Sequence, residues 1–599
     1  MTISENLIQY NGAQNANIDY HDGQLRPVVG VHNYQILRAN RSHPEQADHY
    51  GWTYNHAPML AHWNGQFFLE YLSNPVSEHV APGLTFLTVS EDGVNWEKPK
   101  VVFPAYLIPS GVYVNLEAPE LPENSFAVMH QRMGFYVSPE DRLLVIGFYG
   151  ICPHYKVHPN DGKGIGRVVR EIYRDGSWGP IYFIRYNRHA GWNESNTHFP
   201  SYQTSSDSGF IEACEALLAD KLVTMQWWEE DRSKDGFYTT SGGKAPSTYR
   251  LPDGRLVAVF KSSRASITSD DGKTWSKLYE VPTLIMAGAK IWGQQTADGR
   301  YALVYNPSPT GKFRWPLAVV VSEDGLNFDR MAVIHGDVSP MRYSGEYKDY
   351  GPQYIRGIEA GNQVPTGNEM WLTYSVNKED IWVSRVPSPL NVAVDQTVQD
   401  TFSDMPLGSY VKGWNIYSCQ WARVSIEPEP STSIRSLRLQ DKDPYEYAKA
   451  VRVFPESRKV HIECKLLAAQ NDTGQLYLEV CDFKGTFPLR LIFDSDGWIK
   501  YQLGGQHPMI PYQQNTWYVV SLTIDCIKQS FELIIGDFRK SISFFAPVLS
   551  IERLVFRTGA IRKEPNLDSR LDTDDIPGAD EQITEANYYL SYVNTSEHE

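Results

Sequence analysis

Short apolar runs, each closed by Gly, Pro or Asn, fill residues 1 to about 395. Residues 255–260 follow Pro252-Asp253-Gly254, and residues 301–305 follow Asp298-Gly299. Runs of this length between turn residues predict β-strands, and helical spacing of apolar positions is nearly absent. Residues 369–375 and 380–385 predict a closing hairpin, after which Pro387-Ser388-Pro389 ends the pattern. A linker-like stretch spans residues 395–404. From there to about residue 560 the predicted strands are longer and largely alternate, as in 459–464, 475–480 and 517–524. That alternation predicts a β-sandwich of lectin-like, jelly-roll type. Residues 563–581 are acidic and poor in apolar side chains, which fits a loop wrapping the surface, with 587–593 as a returning strand.

One turn motif occurs three times in the first part. It reads Ser90-Glu91-Asp92-Gly93-Val94-Asn95-Trp96, Ser269-Asp270-Asp271-Gly272-Lys273-Thr274-Trp275 and Ser322-Glu323-Asp324-Gly325-Leu326-Asn327-Phe328. Each copy follows a β-rich run. Asp closes a local turn through its side chain, Gly supplies positive φ, and the aromatic tucks under the next strand. Arg174-Asp175-Gly176-Ser177-Trp178 is a weaker relative. Recurrence of one strand-turn unit predicts radially repeated small sheets, a β-propeller. The motif resembles the Asp-box of sialidase-like propellers, which is a folding element and not a catalytic site. The expected fold is all-β: a propeller over 1–395, then a jelly-roll sandwich over 396–599. The strand count is compatible with six or seven blades.

Composition narrows the partners. A chain of 599 residues exceeds one ordinary domain. Its 36 Tyr and 16 Trp suit sheets and stacking on sugar rings. A net charge of −16 argues against nucleic acid and against a membrane surface held by basic residues. No apolar run is long enough for a transmembrane helix. The first residues, Met1-Thr2-Ile3-Ser4-Glu5-Asn6, lack the basic and apolar regions of a signal peptide. The expected location is the cytoplasm, or outside the cell if the numbering follows processing. The six cysteines form no Cys-x-x-Cys pair and no disulfide framework, so most are read as buried thiols.

Candidate chemistry concentrates in a few stretches. Gly51-Trp52-Thr53-Tyr54-Asn55-His56-Ala57-Pro58 brings His56 to the start of a strand, where a propeller can point it at the central channel. The alternative is a structural histidine bonded to backbone. His79 and His130 lie in two further marked segments, with Arg132 beside His130. Gly147-Phe148-Tyr149-Gly150 and Gly164-Ile165-Gly166-Arg167-Val168-Val169-Arg170-Glu171 let the backbone run close to a neighbour or a ligand. No βαβ unit surrounds them, so they are no dinucleotide fingerprint. An Arg fork is the natural partner of a carboxylate. The alternative for Arg167 or Arg170 is an ion pair with Glu171 or another acid.

Residues 290–296, with Trp292 and Gln294, and residues 345–357, with Lys348 and Arg356, carry polar and aromatic groups suited to sugar binding. Packing between blades is the equal alternative. Asn160, Asp161 and Asp349 are candidate ligands for a structural calcium ion, though no contiguous calcium loop is present. No cofactor is called for. The arginine triad, Tyr nucleophile and acidic partners of a hydrolytic sialidase are not apparent around the Asp-Gly turns, and no acidic pair stands out as a glycosidase dyad.

Trp52-Thr53-Tyr54-Asn55-His56-Ala57-Pro58, Gly164-Ile165-Gly166-Arg167-Val168-Val169-Arg170-Glu171, Trp292-Gly293-Gln294 and Asn377-Lys378-Glu379-Asp380-Ile381-Trp382 resemble propeller enzymes acting on L-rhamnose linked α-1,4 to D-glucuronate. These are the rhamnosyl-glucuronate lyases and relatives first described as α-L-rhamnosidases, with seven-bladed ulvan lyases as more distant kin. The resemblance spans most of residues 30–390. It implies seven blades, rhamnosyl-glucuronate oligosaccharide or polysaccharide ends as partner, and β-elimination as the reaction. An Arg neutralises the uronate carboxylate, and a His or Tyr removes the C5 proton. On that reading His56 is principal base or acid, Tyr149 or His79 its counterpart, and Arg167 holds the carboxylate. His130, Arg132, His198, Trp292, Gln294, Lys348 and Arg356 bind substrate. Two further readings remain: a hydrolase on the same linkage, and a non-catalytic carbohydrate-binding propeller with a lectin-like sandwich.

Overall fold

The computed structural model describes residues 7–109, 121, 123–128, 133–153, 158–365, 367–430 and 432–597. Strands that pair in sequence order form four free-standing sheets. The first blade is Tyr54–Trp63, Gln66–Asn74, Leu84–Ser90 and Lys100–Phe103. The second is Gly134–Val137, Leu143–Gly150, Gly164–Ile172 and Tyr182–Tyr186. The third is Ser247–Arg250, Leu256–Phe260, Arg264–Thr268 and Tyr279–Glu280. The fourth is Trp292–Gln295, Tyr301–Tyr305, Leu317–Ser322 and Asn327–His335, with Gln9–Tyr10 added in parallel at its outer edge.

The fifth set is Pro352–Gly357, Met370–Val376 and Asp380–Val386, completed by the early strand His32–Leu37. The expectation of seven blades, or six, is thus corrected among the described residues to four free sheets and this fifth set. Chain that a further blade would need is spent on a helical insert between the second and third blades. Ser208–Ala219 is capped by Asp207, whose carboxylate accepts from the Phe210 N–H, and it buries Phe210, Ala213, Cys214 and Leu217 at helical spacing.

The leading strands of the blades meet around one axis. Leu60 forms a parallel bridge with Ile358, just past Pro352–Gly357. Gly357 lies against Trp292 so closely that a Cβ there would sit 2.4 Å from the indole nitrogen. Gly293 in turn receives the ring of Tyr249, and its N–H donates to Ser247 Oγ at 3.0 Å. Small residues at these contacts let the strands crowd the axis.

His32–Leu37 is shared. One edge pairs antiparallel with Asp380–Val386, and the other pairs in parallel with Trp414–Ser418. The fifth blade therefore runs on into one sheet of the C-terminal sandwich. The second sandwich sheet includes Val424–Pro428, Arg435–Asp441, Ala586–Glu597, Lys459–Ala468 and Thr516–Asp525. The expected alternation is present in Lys459–Ala468, whereas Leu476–Cys481 is buried throughout. One continuous core reaches from Trp292 and Trp315 through Trp382 and Trp414 to Val593. Trp382 stacks on Tyr417 at 5.0 Å across the weld. The acidic tail wraps back as expected: Asp575 pairs with Arg41, and Asp580 accepts from the Tyr343 hydroxyl.

The Asp-Gly turns join the third and fourth strands of the first, third and fourth blades. In the first, Asp92 Oδ1 accepts from the N–H groups of Val94 and Asn95 at 2.8 and 2.7 Å, and Ser90 Oγ accepts from Gly93 N–H at 2.9 Å. Asp324 and Ser322 repeat this in the fourth blade. The second copy is in a different register from the one its sequence suggests. Thr268, not Ser269, takes the serine role, and Asp270, one residue further from the glycine, accepts from Thr274 N–H at 2.9 Å. The turn is one residue longer there, and the side-chain geometry defines the motif better than the Asp-Gly pair does.

Trp382→Ala is expected to cost about 3–5 kcal/mol, read as a lower midpoint of a single chemical denaturation transition for propeller and sandwich together. Burial would raise the Asp324 carboxyl, but the bonds from Asn327 and Leu326 outweigh it and hold it at about 2. Its folded pKa lies below the unfolded value of ~3.9, so its contribution is present above pH ~4 and is lost as pH falls toward 2. The stability gap between the protein and Asp324→Ala should therefore close over that range.

Candidate functional site

Tyr54 and His56 are two apart on the leading strand of the first blade and so share a face, their rings 5.8 Å apart. The pairing with Gln66–Asn74 breaks between His56 and Met59, and Ala57 has φ 49°. A matching irregularity lies between Gln353 and Arg356 on the leading strand of the fifth blade, where Tyr354 has φ 61°. Non-glycine residues adopt this left-handed region uncommonly, and bulges of this kind re-aim side chains. Here they turn Tyr354 onto His56, with ring centroids 4.2 Å apart. His56 Nδ1 lies 2.7 Å from Ser375 Oγ, and its Nε2 has no hydrogen-bond partner among the described residues although the side chain is fully buried.

Cations converge on the same phenol. Lys261 Nζ donates to Tyr354 Oη at 2.8 Å, and Lys290 and Arg314 stand 5.0 and 5.6 Å from its ring centroid. They come from the third and fourth blades, so the ring of blades assembles the site. Lys378, in a turn where Asn377 and Lys378 both have φ 56°, reaches Glu78 Oε2 at 3.0 Å and Asp349 Oδ2 at 3.2 Å. Asp349 also pairs with Arg314 at 2.9 Å. His79, with φ 67°, places Nε2 3.6 Å from Glu78 Oε1.

These charges push two neighbouring tyrosines apart. Burial would raise the Tyr354 phenol, but Lys261, Arg314 and Lys378 outweigh it and bring it below its ordinary value. Tyr54 is driven well up by burial and by Glu78. Burial and then Lys378 drive the His56 imidazole well down, so it stays neutral. Burial opposes ionisation of Glu78, yet the Lys378 ammonium holds its carboxyl well below the usual range. A phenol inclined to ionise beside one that stays protonated is the pattern of a divided acid–base pair.

Of the residues expected from sequence, His56 and His79 are in this cluster. Tyr149 is not brought to it: its hydroxyl donates to the Pro104 carbonyl at 2.7 Å and its ring stacks on Tyr106. Arg167 is paired with Glu230 at 2.8 Å and packs on Phe148 and Trp227, so the ion pair with another acid prevails over a carboxylate-binding role. His198 is exposed and lies against Tyr106. Trp292 belongs to the core and donates to Gln294 at 2.8 Å. Lys348 is corrected to a structural role, since its fully buried Nζ binds Glu379 at 3.0 Å and the Tyr343 carbonyl.

Arg356 Nη1 donates to the Pro246 carbonyl at 2.9 Å. His130 and Arg132 lie outside the described residues. Asp161 and Asp349, named as calcium ligands, are each paired with a cation, and no metal-binding cluster is found among the described residues. Tyr54, Glu78, Lys261, Lys290, Arg314, Tyr354 and Lys378 were missed as site residues. A cavity of about 180 Å³ beside Arg188, His189 and Glu194 is lined by none of this cluster.

Residues 6–244 match the family model described as BT_1020-like, N-terminal beta propeller, residues 191–355 the BNR repeat-like domain, and residues 414–573 the sialidase-like CBM domain. A solved structure titled "Sialidase" superposes with a TM-score of 0.95 at 44% identity, covering 99% of this chain and 54% of that one. This chain thus spans about half the length of that protein. A mutant of Trypanosoma rangeli sialidase displaying trans-sialidase activity aligns over 90% of this chain and 91% of its own at 12% identity, with a TM-score of 0.35. Trypanosoma rangeli sialidase in complex with sialic acid covers 91% of each chain at 10% identity, with a TM-score of 0.33. The last two superpose too loosely to bear on the site. No curated protein sequence matches.

Lys261→Met removes the nearest donor and cation from Tyr354. Its phenol should then titrate at higher pH than in the unaltered protein, followed by tyrosinate absorbance or by NMR of ring-labelled tyrosine.

Proposed function

From a sialidase-like Asp-box propeller joined to a sialidase-like carbohydrate-binding-module sandwich, we propose a carbohydrate-processing enzyme that cleaves the glycosidic bond of an acidic sugar. The observation that carries this reading is the buried Tyr354 phenol, hydrogen-bonded by Lys261 and flanked by Lys290, Arg314 and His56. Lys261, Lys290, Arg314 and Lys378 face Glu78 and Asp349, an excess of positive charge that suits an anionic substrate. Tyr354 Oη is the nucleophile. It bonds to the anomeric carbon as the bond to the leaving oxygen breaks, and Tyr54, kept protonated, supplies that oxygen with a proton. Water then replaces the phenolate, giving its proton to Glu78, which returns it to Tyr54. The solved protein titled "Sialidase" favours this hydrolytic form.

A second reading is favoured by His56, a buried neutral imidazole whose Nε2 is unpartnered among the described residues. Such a base could remove the C5 proton of a glucuronate whose carboxylate is neutralised by the same cations. The C4–O bond to L-rhamnose then breaks, the departing oxygen takes a proton from Tyr54, and an unsaturated uronate remains. This is the rhamnosyl-glucuronate lyase expected from the sequence resemblance.

Tyr354→Phe should lower kcat by ~10²-fold or more with an unchanged denaturation midpoint; undiminished turnover would remove Tyr354 from the chemistry. With the unaltered protein, new ultraviolet absorbance from a C=C bond on rhamnosyl-glucuronate decides for the lyase. A released sugar without that absorbance decides for hydrolysis.

A further inference from the structure

The cavity of about 180 Å³ lies at the outer edge of the second blade, against its last strand Tyr182–Tyr186. A single water needs only ~10–15 Å³, so a larger group has room there. We propose that this cavity binds a neutral sugar unit, an assignment that rests on the carbohydrate reading above. Arg185 and Arg188 line it together with Asp235 and Glu194. Arg185 Nε donates to Asp231 at 2.8 Å, and its Nη2 donates to Asp235 at 2.8 Å and to Ser233 Oγ at 3.0 Å. Its Nη1 has no hydrogen-bond partner among the described residues. Arg188 pairs with Glu194 and lies over the Tyr186 ring, 5.5 Å from its centroid. Carboxylates thus match or outnumber the cations, and an anion gains no excess of positive charge here. A sugar hydroxyl both donates and accepts, and a guanidinium beside a carboxylate meets both needs. The rings of Tyr186 and Tyr202 supply apolar wall for the sugar's carbon face.

The backbone is shaped to present these groups. Pairing between Gly164–Ile172 and Tyr182–Tyr186 breaks between Phe183 and Arg185, and a bulge of this kind re-aims a side chain. Gly166 makes room for it, since a Cβ there would sit 2.5 Å from the Arg185 carbonyl oxygen. Asn187 fixes the next residues. Its Oδ1 accepts from Ala190 N–H at 3.1 Å and caps the turn Arg188–Ala190. Its Nδ2 donates to the carbonyls of Gly162 and Gly164 at 3.0 and 2.8 Å. The glycine-rich strand that holds no substrate through Arg167 therefore anchors one wall of this cavity.

The cavity is at the end of the second blade that meets the central cluster. Tyr149, Gly166 and Tyr186 form one row across three of its strands. Just past that row the Ile151 N–H donates to the Lys163 carbonyl at 3.0 Å, and the Cys152 thiol donates to the His79 carbonyl at 3.4 Å. His79 stands beside Glu78 in the cluster. An oligosaccharide with its acidic unit in the cluster can therefore extend over this end of the blade toward the cavity. The neutral sugar is either a further unit of that oligosaccharide or part of a separate glycan.

Saturation-transfer NMR on the full chain tests the site, with methyl glycosides of glucose, galactose, mannose and rhamnose as probes. At least one of them should bind. Arg188→Ala and Glu194→Gln should each weaken that binding by ~10-fold or more, the loss of one charged hydrogen bond. Both side chains are exposed, so both variants should keep the denaturation midpoint of the unaltered protein. No binding of any probe, or affinity unchanged in both variants, overturns the proposal. Affinity lost in Lys261→Met but kept in Arg188→Ala places the sugar in the central cluster and also overturns it. An oligosaccharide of the bound sugar ending in glucuronate then separates the two sources. Weakening by both Lys261→Met and Arg188→Ala identifies one ligand spanning cluster and cavity, and weakening by Lys261→Met alone identifies a separate glycan in the cavity. If the unaltered protein cleaves no acidic glycoside, the cleavage reading falls, while probe binding lost in Arg188→Ala and Glu194→Gln still upholds the cavity.

Discussion

The structure depends on one strand with two partners. His32–Leu37 closes the ring against Asp380–Val386 and, on its other edge, is the first strand of contact with the sandwich at Trp414–Ser418. A propeller sheet normally ends in an exposed outer edge, which is a liability for pairing with other chains. Here that edge is paired with a later strand of the same chain. Charged groups are drawn into the weld: Arg38 binds Asp443 at 2.8 Å, Lys348 binds Glu379 at 3.0 Å, and Arg342 binds Asp380. Burying such pairs gains little net stability over apolar packing, but removing one partner leaves an uncompensated charge. The weld is thus sensitive to single changes while owing its bulk stability to the core around Trp382, Tyr417 and Trp414.

That closure is also what aligns the chemistry. His56 and Tyr354 face each other only because the first and fifth blades are neighbours, and Lys261 and Arg314 reach in from the third and fourth. Two pairing irregularities and a run of left-handed residues, Ala57, His79, Tyr347, Tyr354, Asn377 and Lys378, gather at this one place. Irregularities of register also occur elsewhere in the blades, between Tyr149 and Gly150 and between Phe183 and Arg185 for example. What distinguishes the site is that two of them meet there with the left-handed residues, so neighbours override local rules that hold along most of the scaffold.

The scaffold was legible in the chain for the same reason. Alternation in residues 459–468 and the Asp-Gly turns are local signals, and the closing hairpin needed only its own residues. The helix at 208–219 had a readable signal too, an Asp cap and buried positions three and four apart, though β-rich surroundings masked it. The site was legible in part. His56 stood out beside Gly51-Trp52-Thr53-Tyr54, and the stretch 345–357 was marked. Within it Lys348 and Arg356 were chosen because charge suggests binding, yet both donate to groups of the protein itself. Tyr354 was passed over because a bulge, invisible in residue spacing, decides which side chain of that strand reaches the axis. Arg167 and Tyr149 lay in glycine-rich strands whose closeness is to other protein groups. The second Asp-Gly turn shows the same limit on a small scale, since its true register depends on which hydroxyl bonds the glycine N–H.

The shared strand has a consequence for the order in which this molecule comes into being. Its two partners lie some 350 and 380 residues further along the chain. Contacts of such separation form late, because loop closure must precede them. During synthesis the early blades can pair internally as they emerge, but His32–Leu37 waits for the fifth blade and the first sandwich strand. Until then His56 and Tyr354 are strangers, and Lys261 and Arg314 have no phenol to meet. On the proposed reading an unfinished chain is therefore chemically silent, and reactivity arrives together with closure of the ring.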